Sequence, residues 1–159
     1  MNTDKFNNIV DQLSDLGKYK FLYHSDIHDV PMPSIESLNI MLEDLKRILF
    51  PGFFGNSEMR METFNYYVGS KLENIYRILT EQVKRGYCFD CTNAKDMCGD
   101  CDKLAVEVAE KFIEQLPIVK HLLSSDVIAA YNGDPAARSY GEAIFSYPSI
   151  LTLTYHRIA

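Results

Sequence analysis

Apolar residues recur three and four positions apart along nearly the whole chain, the spacing that puts them on one face of an α-helix. No segment of four or more residues alternates cleanly between β-branched and polar types, so nothing in the pattern supports a sheet. The fold class expected is therefore all-α, with about six to eight helices in one domain over residues 1–159. Phe6, Ile9, Val10, Leu13 and Leu16 define a first helix from about Thr3, a plausible cap, towards Tyr23. Pro31 and Pro33 fall in a turn over 26–33, because proline cannot continue a helix. Ser34 caps a second helix whose stripe is Ile35, Leu38, Met41, Leu42, Leu45, Ile48 and Leu49, and Pro51-Gly52 stops it.

A third helix, expected to be the longest, opens at Asn56 or Ser57. It runs through Met61, Phe64, Val68, Leu72, Ile75, Leu79 and Val83 to Gly86, a natural residue for a left-handed C-terminal cap. A fourth carries Leu104, Ala105, Val108, Phe112 and Leu116, with Pro117 expected to end it. Two short helices over 118–123 and 125–131 and a turn at Asn132-Gly133 follow. Asp134-Pro135 reads as an N-cap with proline at the first helical position. Pro148 opens a last helix that carries no Gly, Asn or Pro stop signal before Ala159, which predicts a chain cut inside that helix.

Charge narrows the partners. Acids outnumber bases 22 to 16, the net charge is −6, and no lysine–arginine cluster exceeds a pair. A phosphate backbone is gripped chiefly through clustered cations, so no nucleic-acid partner is expected. No apolar run is long enough for a membrane span, and the first ten residues lack the pattern of a signal peptide, which points to a cytoplasmic protein.

The strongest local motif is Cys88-Phe-Asp-Cys91 followed by Cys98-Gly-Asp-Cys101, which holds all 4 cysteines of the chain. Two residues between thiols let both sulfurs of a pair reach one ion, so Cys88, Cys91, Cys98 and Cys101 are candidate ligands of a structural zinc ion. The gap between the pairs is shorter than in common zinc ribbons. An iron–sulfur cluster, a reducible disulfide and four unligated thiols are the alternatives. His24 and His28 lie four apart, but the glutamate of an HExxH motif is missing, and they read as solvated residues at a helix end. By spacing alone Asp134 is a helix cap.

The segment Ser125–Ala159 resembles the end of the helical domain of serine O-acetyltransferases. The elements that carry the resemblance are Asp126-Val127, Ala129-Ala130, Asp134-Pro135-Ala136-Ala137, Tyr147-Pro148 and His156-Arg157-Ile158-Ala159. Pro33-Ser34-Ile35, Leu49-Phe50-Pro51-Gly52 and the cysteine segment before Leu116-Pro117 look like the longer branch of that family. The resemblance implies an N-terminal helical domain followed by a left-handed parallel β-helix that binds acetyl-CoA. The implied reaction moves the acetyl group to the hydroxyl of L-serine and gives O-acetylserine for cysteine synthesis. It also implies that Asp134 helps to hold the amino group of serine, and of cysteine as feedback inhibitor. Further implications are a trimer or dimer of trimers joined through the first two amphipathic helices, and a complex with O-acetylserine sulfhydrylase.

The catalytic histidine, its aspartate partner and the hexapeptide repeats of that family do not occur in this sequence. No catalytic residue is therefore expected in the fragment, and the fragment alone is expected to be inactive. The rival reading is a free-standing helical interaction module, stapled by zinc and without catalysis.

Overall fold

In a computed structural model the described residues are 2–15, 17–18, 30–55, 60–90 and 98–159. Among them are six α-helices and no strand; the sole β-type pairing is an isolated bridge between Pro51 and Phe54. The all-α expectation holds. The helices are α1 (Thr3–Leu13), α2 (Ile35–Leu49), α3 (Phe64–Asp90), α4 (Cys98–Gly133), α5 (Tyr140–Ser146) and α6 (Pro148–Ile158).

α1 is shorter than its pattern suggests. Asn2, not Thr3, caps it, accepting from the Asp4 amide, and the helix stops at Leu13. There the Ser14 hydroxyl donates to the Val10 carbonyl and the Asp15 carboxylate accepts from the Gly17 amide. Such local side-chain bonds compete with helix propagation. His24 and His28 lie outside the described residues, as do Asn56 and Ser57.

Ser34 caps α2 as expected: its hydroxyl accepts from the Ser37 amide at 3.1 Å. Its own amide donates to the buried Gln82 side chain at 2.6 Å, which ties the start of α2 to α3. At the other end Lys120 of α4 donates to the Ile48 carbonyl at 3.2 Å, satisfying one of the carbonyls that a helix terminus leaves open. Gly52 and Gly55 then turn the chain with φ of +83° and +87°, a region that side chains with a Cβ avoid.

A 3-10 turn, Met61–Thr63, leads into α3. Gly86 does not end this helix. It lies inside it, with no left-handed φ, and α3 continues to Asp90. Pro117 is likewise no stop. α4 runs unbroken through it for 36 residues and is the longest helix, absorbing the two short helices expected at 118–123 and 125–131. Proline removes one intrahelical donor and disfavours a helix, but it does not forbid one that is packed along its length.

That packing is extensive. α3, α5 and α6 all lie against α4, while α2 packs on α3. Val68 and Leu72 of α3 share a cleft with Ile113 and Leu116 of α4, and Lys84 of α3 bridges Asp102 of α4, so the two run antiparallel. The core joins Met41, Leu45, Ile48 and Leu49 of α2, Ile75 and Ile78 of α3, and Leu116, Leu123 and Val127 of α4. Phe50 after α2, Ala143 of α5 and Ile150 and Ile158 of α6 complete it.

One carboxylate lies among these apolar side chains. Asp44 of α2 is buried and accepts from Lys71 at 2.8 Å, Asn74 at 2.9 Å and Arg47 at 3.0 Å. Burial alone would push its carboxyl up. The bonds from Lys71, Asn74 and Arg47 outweigh burial and hold it below the ordinary value.

Candidate functional site

The segment between α4 and α6 is built around Asp134. α4 ends at Gly133, and Asp134 starts a turn rather than a helix. Its carbonyl accepts from the Ala137 amide at 3.0 Å and its Oδ1 accepts from the Ala136 amide at 2.8 Å. The expected helix cap is therefore an aspartate turn, in which the carboxylate bonds the backbone two residues on. The true cap of the next helix is Ser139, whose hydroxyl accepts from the Glu142 amide at 3.1 Å. Glu142 reaches back to the Arg138 amide at 2.7 Å, so cap and glutamate together set the direction in which α5 leaves the turn.

The second oxygen of Asp134 is fixed from the far side of α5. The Tyr147 hydroxyl donates to Oδ2 at 2.5 Å. Tyr147 itself stands between the end of α5 and Pro148, the first residue of α6. The Tyr147 bond, followed by the Ala136 amide, holds the Asp134 carboxyl below its ordinary value. In return the Asp134 carboxylate pushes the Tyr147 phenol up to about 12. A carboxylate offers about four acceptor positions. The Ala136 and Tyr147 bonds take two, which leaves acceptor capacity for a further donor such as an ammonium.

Four contacts keep this corner in place. Arg157 of α6 grips Asp126 of α4 through both oxygens, Nε to Oδ2 at 2.5 Å and a terminal nitrogen to Oδ1 at 2.8 Å. Paired bonds of this kind fix orientation as well as distance. The Tyr131 and Tyr140 rings pack with centroids 4.5 Å apart across the turn. Phe145 of α5 meets Phe53 at 5.3 Å and Phe54 at 6.2 Å, which anchors α5 to the glycine turn after α2.

Spacing along the sequence gives no hint of the Tyr147–Asp134 or Arg157–Asp126 pairs, which are 13 and 31 positions apart. Tyr147, Asp126 and Arg157 are nevertheless all among the residues that carry the resemblance.

The cysteine motif is only partly described. Cys88, near the end of α3, and Cys101, in the first turn of α4, are both buried. Cys91 and the side chain of Cys98 lie outside the described residues. Among the described residues no three or more His, Cys, Asp or Glu side chains converge as a metal site. His121 and His156 are exposed.

Fold and site together define an all-helical domain that presents a turn-held carboxylate where its last two helices meet the long one. No family model matches the sequence. Over 132 residues, 81% of the chain, it is 39% identical to the plasmid serine acetyltransferase of Synechococcus elongatus. The fold is similar to that of serine acetyltransferase 1 of Entamoeba histolytica, solved in complex with L-cysteine. The TM-score is 0.56 over 97% of this chain, at 23% identity. The chain is thus a relative of serine acetyltransferases. It spans 41% of the length of the first protein and 52% of the second.

Proposed function

We propose that this chain is the N-terminal helical domain of a serine O-acetyltransferase, which moves an acetyl group from acetyl-CoA to the hydroxyl of L-serine. The observation that carries the reading is the 39% identity over 132 residues to a serine acetyltransferase. In this reading a β-helix domain that follows in the intact enzyme supplies the acetyl-CoA site and the general base that takes the serine proton. The helical domain supplies Asp134. Its carboxylate, kept ionised by Tyr147 and the Ala136 amide, accepts a charge-assisted bond from the substrate ammonium. Cysteine carries the same ammonium and acts as feedback inhibitor through the same contact. The relative crystallised with L-cysteine is consistent with this.

Assembly belongs to the same reading. None of the residues of α1 is buried, and Phe6, Ile9, Val10 and Leu13 leave an apolar stripe exposed. We assign this stripe to contact with a second copy in a trimer or dimer of trimers. The stripe of α2, by contrast, is used in the core at Met41, Leu45, Ile48 and Leu49. In this reading α1 takes the role that the resemblance implies for both helices. A cytoplasmic location and a complex with O-acetylserine sulfhydrylase complete the proposal. No helix among the described residues is long and apolar enough to cross a membrane.

The test is an acetyl-transfer assay on the enzyme that contains this chain, following release of the coenzyme A thiol. L-serine and acetyl-CoA should give O-acetylserine, free L-cysteine should inhibit, and the 159-residue chain alone should give no turnover. Absence of transfer to L-serine by the intact protein would favour the rival helical interaction module.

A further inference from the structure

Polar bonds join α4 and the α6 segment at two places, one at each end of α6. Tyr147, the residue before α6, donates to Asp134 just after α4. Arg157, in the last turn of α6, grips Asp126, which lies about two turns back along α4. α6 therefore runs antiparallel to the end of α4. Arg157 is about 15 Å of helix away from Tyr147, so any effect it has on Asp134 passes through α6.

Apolar packing does not set the register of the two helices by itself. Ile150 and Ile158 of α6 are buried in the core, but burial of apolar surface has no preferred direction. The buried Thr154 adds no directional bond to α4, since its hydroxyl donates to the Ile150 carbonyl of its own helix at 2.7 Å. Thr152 likewise donates to the Pro148 carbonyl at 2.9 Å. Tyr155 meets Lys46, which belongs to α2. At this end the directional restraint is the fork of Arg157 on both oxygens of Asp126, which fixes orientation as well as distance. The pair is also partly withdrawn from water. The Asp126 side chain is 14% exposed and that of Arg157 26%, so salt screens it less than an ion pair on open surface.

The Asp134 carboxylate depends on that restraint. Its own turn holds Oδ1 through the Ala136 amide, but the last torsion of an aspartate is broad, so one bond leaves the group free to swing. The Tyr147 hydroxyl removes that freedom, and its place is set by where α6 begins. We propose that Asp126 and Arg157 are positioning residues for the substrate-ammonium site: their fork fixes α6, α6 fixes the Tyr147 hydroxyl, and that hydroxyl aims Asp134. This role presupposes the proposed contact between Asp134 and the ammonium of serine. A carboxylate aimed in advance binds that group with less loss of torsional freedom.

The test is a double-variant cycle in steady-state kinetics of the enzyme that contains this chain. Arg157→Lys keeps the charge but cannot form the fork. It should raise the serine KM about 3- to 10-fold and leave the acetyl-CoA KM unchanged. Tyr147→Phe should also raise the serine KM, and adding Arg157→Lys to it should raise it no further, because the effect of Arg157 runs through Tyr147. A merely structural ion pair would act equally in both backgrounds. Asp126→Asn enters the same cycle from the other partner and decides if Arg157→Lys fails to fold. A serine KM unchanged by both variants would overturn the proposal, as would an equal further rise on the Tyr147→Phe background. Asp134→Ala separates this result from the acetyltransferase reading. If it raises the serine KM while Arg157→Lys does not, the ammonium contact stands and the positioning pair falls. If it has no effect, or if the enzyme does not acetylate serine, both fall together.

Discussion

The Tyr147 hydroxyl and the Ala136 amide hold one carboxylate, Asp134, from two sides. For Asp134 the folded value is depressed. Its contribution to stability is therefore present above the ordinary carboxyl value and is lost as pH falls through the folded one. For Tyr147 the folded value is raised to about 12 from 10.0, so its contribution is full below pH 10.0 and is lost as pH rises through about 12. Both statements describe the same hydrogen bond. Tyr147→Phe should remove the latest step of the phenolate titration followed by ultraviolet absorbance. In the enzyme it should also move the acid limb of serine affinity to higher pH, because Asp134 loses the donor that keeps it ionised. An unchanged acid limb would mean that the tyrosine does not tune this group. The pair is hidden in the sequence because α5 intervenes, and only its folding brings position 147 back to position 134.

At the scale of elements, apolar periodicity located α1 to α4, while α5 and the breaks between helices were less legible. The Ser34 cap of α2 and Pro148 as the first residue of α6 are signals whose chemistry is local, and both stand where the sequence places them. Gly86 and Pro117 are also local signals, yet α3 and α4 pass through both. Propensity is a small term against the burial that α3 and α4 gain by packing on each other.

Pro117 is exposed, so its cost is not offset by burial of its own ring. Pro117→Ala restores a backbone donor inside α4 and should stabilise the chain by about 1–3 kcal/mol, read as a higher thermal unfolding midpoint. A lower midpoint would show that the packing of α4 needs the proline. The cap expected at Asp134 failed for a related reason. An aspartate followed by proline suits a turn as well as a helix start, and here the Ala136 and Ala137 amides close the turn first.

For the whole molecule, the exposed stripe of α1 and the site at Asp134 carry separate predictions. Ile9→Asp places a charge in the middle of the apolar contact proposed between copies. It should shift the enzyme towards smaller assemblies in light scattering, with the far-ultraviolet helical signal unchanged. An unaltered molar mass would remove α1 from the assembly contact. The resemblance that points to serine rests on Asp134 and the segment around it, and spacing alone could not have supplied it. A turn-held carboxylate has no chemistry of its own until a ligand is named.

The most direct measurement is steady-state kinetics of Asp134→Ala in the enzyme that contains this chain. The account predicts a serine KM raised about 10- to 100-fold, the loss of one hydrogen bond to a charged group, with the acetyl-CoA KM unchanged and cysteine inhibition weakened in parallel. Unchanged serine KM and unchanged cysteine inhibition would contradict it.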